Sequence, residues 1–313
     1  MFHVYSVADR RVALETRGSK EKFWVHDDNF GRCLFKFPRA GSGEDWAEKI
    51  AECAAKALCI PCAEYQLASL TRENECIRGV LSVDMLANGE ELVSGHSLLM
   101  AHTEYPGPDK IPRYDSKLEA YTLPTVRNAI EKSGIDLPSS IEPHGQWIDS
   151  ASALFVGYLV LDAFIGNQDR HHENWGSIEN TASKTLPLRR SLAPTFDHAS
   201  SLGCRLGDQE RGNRLRTNDK GYSVRAFCAR AKSPFHDEGG NTRLHTHAAV
   251  ARAATLCASA VSYWLERLES LRDDNFGEWM GNVPSDRMSP VAKDFTVEML
   301  RANRDLLLER RTV

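Results

Sequence analysis

Gly166-Asn167-Gln168-Asp169-Arg170-His171-His172-Glu173-Asn174-Trp175 follows an apolar run, 153–165, interrupted at Asp162, and leads into a polar segment. About twenty residues later comes Thr195-Phe196-Asp197-His198. Phosphoryl transfer needs these residue types: one carboxylate to accept or orient the proton of the attacking hydroxyl, and an amide oxygen plus a second carboxylate to hold Mg²⁺ against the phosphates. Asp169 and Asn174 have the Asp-x4-Asn spacing of a kinase catalytic loop, and the second Asp follows one short hairpin downstream. On this reading Asp169 is the base, Asn174 and Asp197 hold Mg²⁺, and His171 orders the loop or contacts phosphate. Alone, the stretch also reads as a polar surface turn. A metal-hydrolase reading would recruit His171, His172, His198, Asp169 and Asp197; the adjacency of the two histidines weighs against their converging on one ion.

Upstream, 22–37 reads as two strands. Phe23-Trp24-Val25-His26 and Cys33-Leu34-Phe35-Lys36-Phe37 flank the polar turn Asp27-Asp28-Asn29-Phe30-Gly31. Pro38 and Gly41-Ser42-Gly43 break the pattern. A helix is expected over 44–59, capped at Ser42 or Gly43 and stopped by Pro61. Trp46, Ile50, Cys53, Ala54, Ala57 and Leu58 then share one face at helical spacing. Lys36, between two phenylalanines on a strand, either snorkels or pairs. A strand lysine held by a helix glutamate and reaching the α/β-phosphates is a kinase arrangement, and Glu48 is preferred to Glu52, four residues on. Either glutamate also reads as a solvated charge. Before the first of these strands, Gly18, Ser19, Lys20 and Lys22 form a short loop able to cover phosphates, or a plain turn. Further strands are expected over 65–70 and 77–83, with the adenine site at Ser82, Val83 and Asp84.

After a Pro/Gly loop at 107–112 the pattern turns helical, with helices expected over 120–132, 147–164, 248–271 and 291–309. The Gly-, Arg-, Asn- and Asp-rich stretch 203–240 reads as an extended loop. Its basic residues Arg211, Arg214, Arg216, Lys220, Arg225, Arg230 and Lys232 read as a solvated face, or as a dock for an acidic partner. The six tryptophans read mostly as core or lobe-contact residues. A small β-rich lobe followed by a larger helical one is one way to build a cleft.

Composition sets the outer bounds. A chain of 313 residues can bury a real core and has room for two lobes. A net charge of −4 gives no electrostatic reason to expect direct nucleic-acid binding. The 153–165 run is shorter than the roughly 20 residues of a membrane helix, and the N-terminus lacks a signal-peptide pattern. A cytoplasmic location is expected, with specialised secretion into a host left open. The eight cysteines, with one CxxC at Cys59 and Cys62, read as free buried thiols.

Together these motifs resemble the HipA-like kinase family, including its short stand-alone members of the HipT and CtkA type. Gly18-Ser19-Lys20-Glu21-Lys22 matches the family's Gly-x-x-Glu-Lys phosphate loop, and Asp169 to Asn174 match its Asp-x-His-x-x-Asn stretch. Asp197 matches its later metal aspartate, and Lys36 falls at its nucleotide lysine. The resemblance implies an α+β, bilobal protein-kinase-like fold, with a β-rich N-lobe at 1–100 and a helical C-lobe at 101–313. It implies ATP-dependent Ser/Thr phosphorylation of a protein substrate with ATP and Mg²⁺, autophosphorylation, and an antitoxin-like or host partner. Two departures stand out. The phosphate loop lacks the family's Ser-x-Ser-Gly run, although Thr16 and Ser19 are nearby hydroxyls. With the loop starting near residue 18, the extra N-terminal subdomain of full-length HipA proteins is not expected. The catalytic stretch is also similar to that of phosphatidylinositol kinases, so a lipid kinase and a non-catalytic pseudokinase stay open as alternatives.

Overall fold

The computed structural model describes residues 1–8, 11–14, 21–73, 75–107, 118–141, 147–181, 189–239 and 242–309. The chain opens with strands β1 (Val4–Ala8), β2 (Arg11–Leu14), β3 (Lys22–Asp27) and β4 (Gly31–Lys36). The β3–β4 turn forms because Asp27 Oδ1 accepts from the amides of Asn29 (2.9 Å) and Phe30 (3.2 Å), while Gly31 supplies a φ of +70°. Helix α1 (Glu44–Ala57) follows, then β5 (Tyr65–Arg72) and β6 (Glu75–Val83). The strands form one sheet in the order β1-β5-β6-β4-β3-β2, with β1 parallel to β5 and its other described pairs antiparallel. Phe23, Val25, Cys33 and Phe35 pair across β3 and β4 and are buried together on one face. The period of 2 therefore turns Leu34 and Lys36 to the other face, where α1 lies.

Helix α1 is buried almost all round. Besides Trp46, Ile50 and Ala54, it buries Glu44, Asp45, Glu48, Lys49 and Glu52. Buried charges demand partners, and each of these has one. Asp45 receives Arg78 Nη2 at 3.0 Å and Arg287 Nη1 at 2.9 Å. Arg287 also donates to the carbonyls of Ala68 and Gly79, tying a late segment of the chain to the first sheet.

Beyond β6 the chain leaves the first sheet. Strand β7 (Glu90–Ser94) pairs instead with β8 (Gly176–Asn180), which pairs with β9 (Arg190–Leu192). Between β7 and β8 lie α2 (Gly95–His102), α3 (Leu123–Lys132) and α4 (Ala151–Ile165). Helix α4, apolar on every side, is correspondingly buried and is the axis of the larger core. It starts where Ser150 Oγ accepts from the Ala153 amide, and stops at Gly166, whose φ of +65° forms a left-handed cap.

The C-terminal part departs from the sequence expectation in two places. The stretch expected as an extended loop, 203–240, contains α5 (Asp208–Arg216), α6 (Val224–Ala229) and β10 (Lys232–His236), which pairs with β11 (Arg243–His245). The single helix expected over 248–271 is two, α7 (Thr246–Ala254) and α8 (Ala258–Glu269). They break where the amides of Leu256 and Cys257 both turn back to the Ala253 carbonyl, and Arg127 takes up the Leu256 carbonyl at 2.8 Å. Helices α9 (Asp273–Asn282) and α10 (Pro290–Glu309) close the chain. Of the seven basic residues within 211–232, three make internal contacts, while Arg216, Lys220, Arg230 and Lys232 are exposed, as a solvated face would be. Arg211 is buried against the Gly203 carbonyl and Asp208, Arg214 pairs with Glu210 over the Tyr222 and Phe227 rings, and Arg225 pairs with Glu309.

All eight cysteines are free, but only Cys33, Cys204 and Cys228 are buried; Cys59 and Cys76 are exposed, contrary to expectation. Trp46, Trp175 and Trp264 are core residues, whereas Trp147 is exposed. Among the described residues no helix is long and apolar enough to cross a membrane.

Candidate active site

A cavity of about 500 Å³ lies where the first sheet, α1 and the Asp169 and Asp197 segments meet. Leu34, Val80, Met85, Leu86 and Leu92 give it apolar lining, together with Trp24. The Arg32 guanidinium sits 3.7 Å from the Trp24 ring centre and pairs with Asp84 at 2.5 Å. Ser82, Val83 and Asp84 also line the cavity. The amides of Val83 and Asp84 are already donated to the carbonyls of Glu64 and Arg32.

The lining is also charged. Lys36 Nζ lies 2.9 Å from Glu48 Oε1 and 3.4 Å from Asp197 Oδ1. Burial opposes the Lys36 ammonium, but Asp197 and Glu48 more than reverse this, so its pKa rises above the ordinary lysine value. Glu48 is itself pushed up, first by burial, against the lowering effect of Lys36. Its second oxygen accepts the His198 amide at 2.7 Å, fastening α1 to the chain just after Asp197. Glu52 is occupied differently and receives Lys49, Lys56 and the Tyr65 amide. Asp197 has a φ of +60°, a left-handed conformation that aspartate tolerates better than most residues, and its amide donates to Tyr65 Oη at 2.9 Å.

The 167–175 loop is held from behind. Arg170 is 1% exposed and grips Asp162 of α4 with two bonds of 2.8 Å. Its remaining donor reaches the carbonyls of Asn174 (2.6 Å) and Phe196 (3.4 Å), so one guanidinium ties both candidate segments to the core helix. Asp169 faces the cavity, half exposed. Asn174 Nδ2 donates to the Asp169 carbonyl at 2.7 Å, which leaves its amide oxygen as the acceptor end. His171 also lines the cavity, its Nε2 3.7 Å from Asp169 Oδ1 and its Nδ1 accepting the Glu173 amide.

The remaining candidates lie elsewhere. His172 meets Tyr105 Oη at 2.9 Å and packs against His96. His198 is fully buried and bonds Thr195 Oγ1. Among the described residues no three His, Cys, Asp or Glu side chains gather as a metal cluster, so the hydrolase constellation does not form. Gly18, Ser19 and Lys20 lie outside the described residues; Lys22 lines the cavity. Trp24, read as a core or lobe-contact residue, borders the cavity, and Tyr65, Ser200 and Arg205 are neighbours of the two aspartates that the sequence pattern does not single out.

Two shifted histidines, His172 partly buried and His198 fully buried, should make stability pH-dependent. Burial, then the neighbouring His171 and His96, lower His172 from 6.5 to about 3. The unfolded chain takes up this proton below pH 6.5 and the folded chain does not. Stability therefore falls as pH drops from 6.5 toward 3, by up to about 1.4 kcal/mol per pH unit for one such histidine. His198 shifts in the same direction through burial. Urea unfolding between pH 6.5 and 4.5 should show this slope, and His172→Gln should make it shallower; an unchanged slope would assign the acid sensitivity elsewhere.

No protein-family profile matches the chain, and no curated protein matches it significantly. Solved structures do. The proinflammatory kinase CtkA of Helicobacter pylori superposes with a TM-score of 0.72 at 20% identity, covering 99% of both chains. HipA of a Shewanella oneidensis toxin–antitoxin system, solved with HipB and operator DNA, gives a TM-score of 0.51 at 10% identity, over 97% of this chain and 68% of HipA. The chain thus has the α+β fold of HipA-like kinases, in agreement with the motif resemblance.

Proposed function

We propose that the chain is an ATP-dependent kinase that phosphorylates serine or threonine hydroxyls of a protein, its own included. The convergence of Lys36, Glu48, Asp169, Asn174 and Asp197 on one cavity with apolar lining supports this reading most strongly. We further propose two lobes with the crossing between them at 84–89, where the chain passes from the first sheet to the second, somewhat earlier than the boundary expected at 100 and 101.

In this reading the apolar lining takes the purine, with Ser82, Val83 and Asp84 at its edge, and Lys36 meets the phosphates. Lys22, which lines the cavity, meets them too, and Gly18, Ser19 and Lys20, outside the described residues, are assigned to phosphate binding from the motif alone. The donor set suits a hard divalent cation: a carboxylate from Asp197 and an amide oxygen from Asn174 are oxygen ligands of the Mg²⁺ type, with phosphate and water oxygens to complete the shell. Bound there, Mg²⁺ would neutralise phosphate charge. Asp169 takes the proton of the acceptor hydroxyl as its oxygen bonds phosphorus and ADP departs. His171, beside it, orders the loop or contacts the transferred group.

Calorimetric titration tests the nucleotide half of this reading. ATP with Mg²⁺ should bind wild type, and Lys36→Met should weaken binding at least 10-fold, about 1.4 kcal/mol. Asn174→Ala and Asp197→Asn should lose most of the difference between Mg²⁺ and EDTA. Equal ATP affinity with and without metal in wild type would contradict the metal assignment.

A further inference from the structure

A second chain of contacts reaches Asp169 from α1. Ser200 Oγ lies 3.2 Å from Asp169 Oδ2. Arg205 Nη2 donates to the same Ser200 oxygen at 2.9 Å. Arg205 Nε lies 3.3 Å from Glu44 Oε1, in the first turn of α1. Glu44 is 2% exposed and also receives the Arg39 guanidinium at 2.5 Å and the Arg39 amide at 3.0 Å.

The hydrogen-bond chemistry gives this chain a direction. A guanidinium can only donate, so Arg205 occupies a lone pair of Ser200, and the hydroxyl proton is left to point at the carboxylate. Asp169 is half exposed in an open cavity, where an aspartate side chain otherwise samples several rotamers. A bond to Oδ2 selects one and leaves Oδ1 on the side of His171. Glu44 fixes the far end of Arg205, one helical turn from the Glu48 that holds Lys36.

We infer that Ser200 and Arg205, anchored by Glu44, are positioning residues for Asp169, so that α1 sets both the nucleotide lysine and the base. The inference rests on the reading of Asp169 as base. Its physical content is preorganisation: a carboxylate already aimed at the acceptor hydroxyl loses no time or entropy finding its orientation.

The test follows transfer of label from γ-labelled ATP to the chain itself in the presence of Mg²⁺, with phosphosites mapped by mass spectrometry. Ser200→Ala should lower the maximal rate about 10-fold while the KM for ATP stays within two-fold of wild type. Ser200→Thr, which keeps the hydroxyl, should restore the rate. Arg205→Met should slow the reaction in the same way, and adding it to Ser200→Ala should cost little more, because both break one path. Unaltered rates in Ser200→Ala, strictly additive losses, or phosphate mapped to Ser200 itself would overturn the inference. Absence of any transfer by wild type would instead overturn the kinase reading.

Discussion

Asp169→Asn should bind ATP and Mg²⁺ as wild type does, yet transfer phosphate about 10²–10⁴-fold more slowly. That range is what a positioned general base contributes. Asparagine keeps the shape of the side chain and can still accept from Ser200, so the hydrogen bond seen at 3.2 Å has a replacement. The Asn174 contact goes to the Asp169 backbone carbonyl, which the substitution leaves in place. What disappears is the ability to take a proton. Calorimetry and labelled-ATP transfer, run on the same preparation, separate the two properties. Turnover near the wild-type rate would remove Asp169 from the role of base, and lost nucleotide binding would show that it supports the fold of the site instead.

Arg170→Met should destabilise the chain by about 3–5 kcal/mol, the range for breaking a buried ion pair by removing one partner. Arg170 is 1% and Asp162 4% exposed, so the substitution leaves a carboxylate in the apolar core without its counter-charge. Converting Asp162 to Leu in the same chain should recover much of the loss, because no buried charge then remains. Urea midpoints at constant m-value measure both changes. Transfer should stay low in the double variant, since the carbonyls of Asn174 and Phe196 would still lack the guanidinium that ties them to α4. A single-variant loss below about 1 kcal/mol would mean that water reaches the pair.

The parts of the site that are readable in the sequence are those set by local spacing. Asp169 and Asn174 share one short loop, so their approach needs only a tight turn, and the turn is there. Lys36 faces α1 because strand alternation puts it opposite the buried Phe35, and Glu48 meets it from the next element along the chain. The α+β character is legible for the same reason. Elements formed by distant partners are not. Strand β7 is defined by β8, more than eighty residues later in the sequence, and neither has a strong apolar alternation of its own. Helix α5, Asp-Gln-Glu-Arg-Gly-Asn-Arg-Leu-Arg, shows no apolar stripe and gains its contacts from α10 and from Arg211 folded over the Gly203 carbonyl. The charged face of α1 also reads as solvated in sequence; what lets it be buried is a set of partners from several segments, Arg78, Arg205 and Arg287 among them. Arg170 reads in sequence equally as a phosphate contact or as a salt-bridge residue, because nothing local shows that Asp162, inside an apolar helix, is its partner.

Incubation of wild-type protein with γ-labelled ATP and Mg²⁺, followed by mass spectrometry of the chain, tests the central claim most directly. The account predicts label on serine or threonine side chains, absent with EDTA and absent in Asp169→Asn. Unlabelled wild-type protein that nevertheless binds the nucleotide with metal would contradict it.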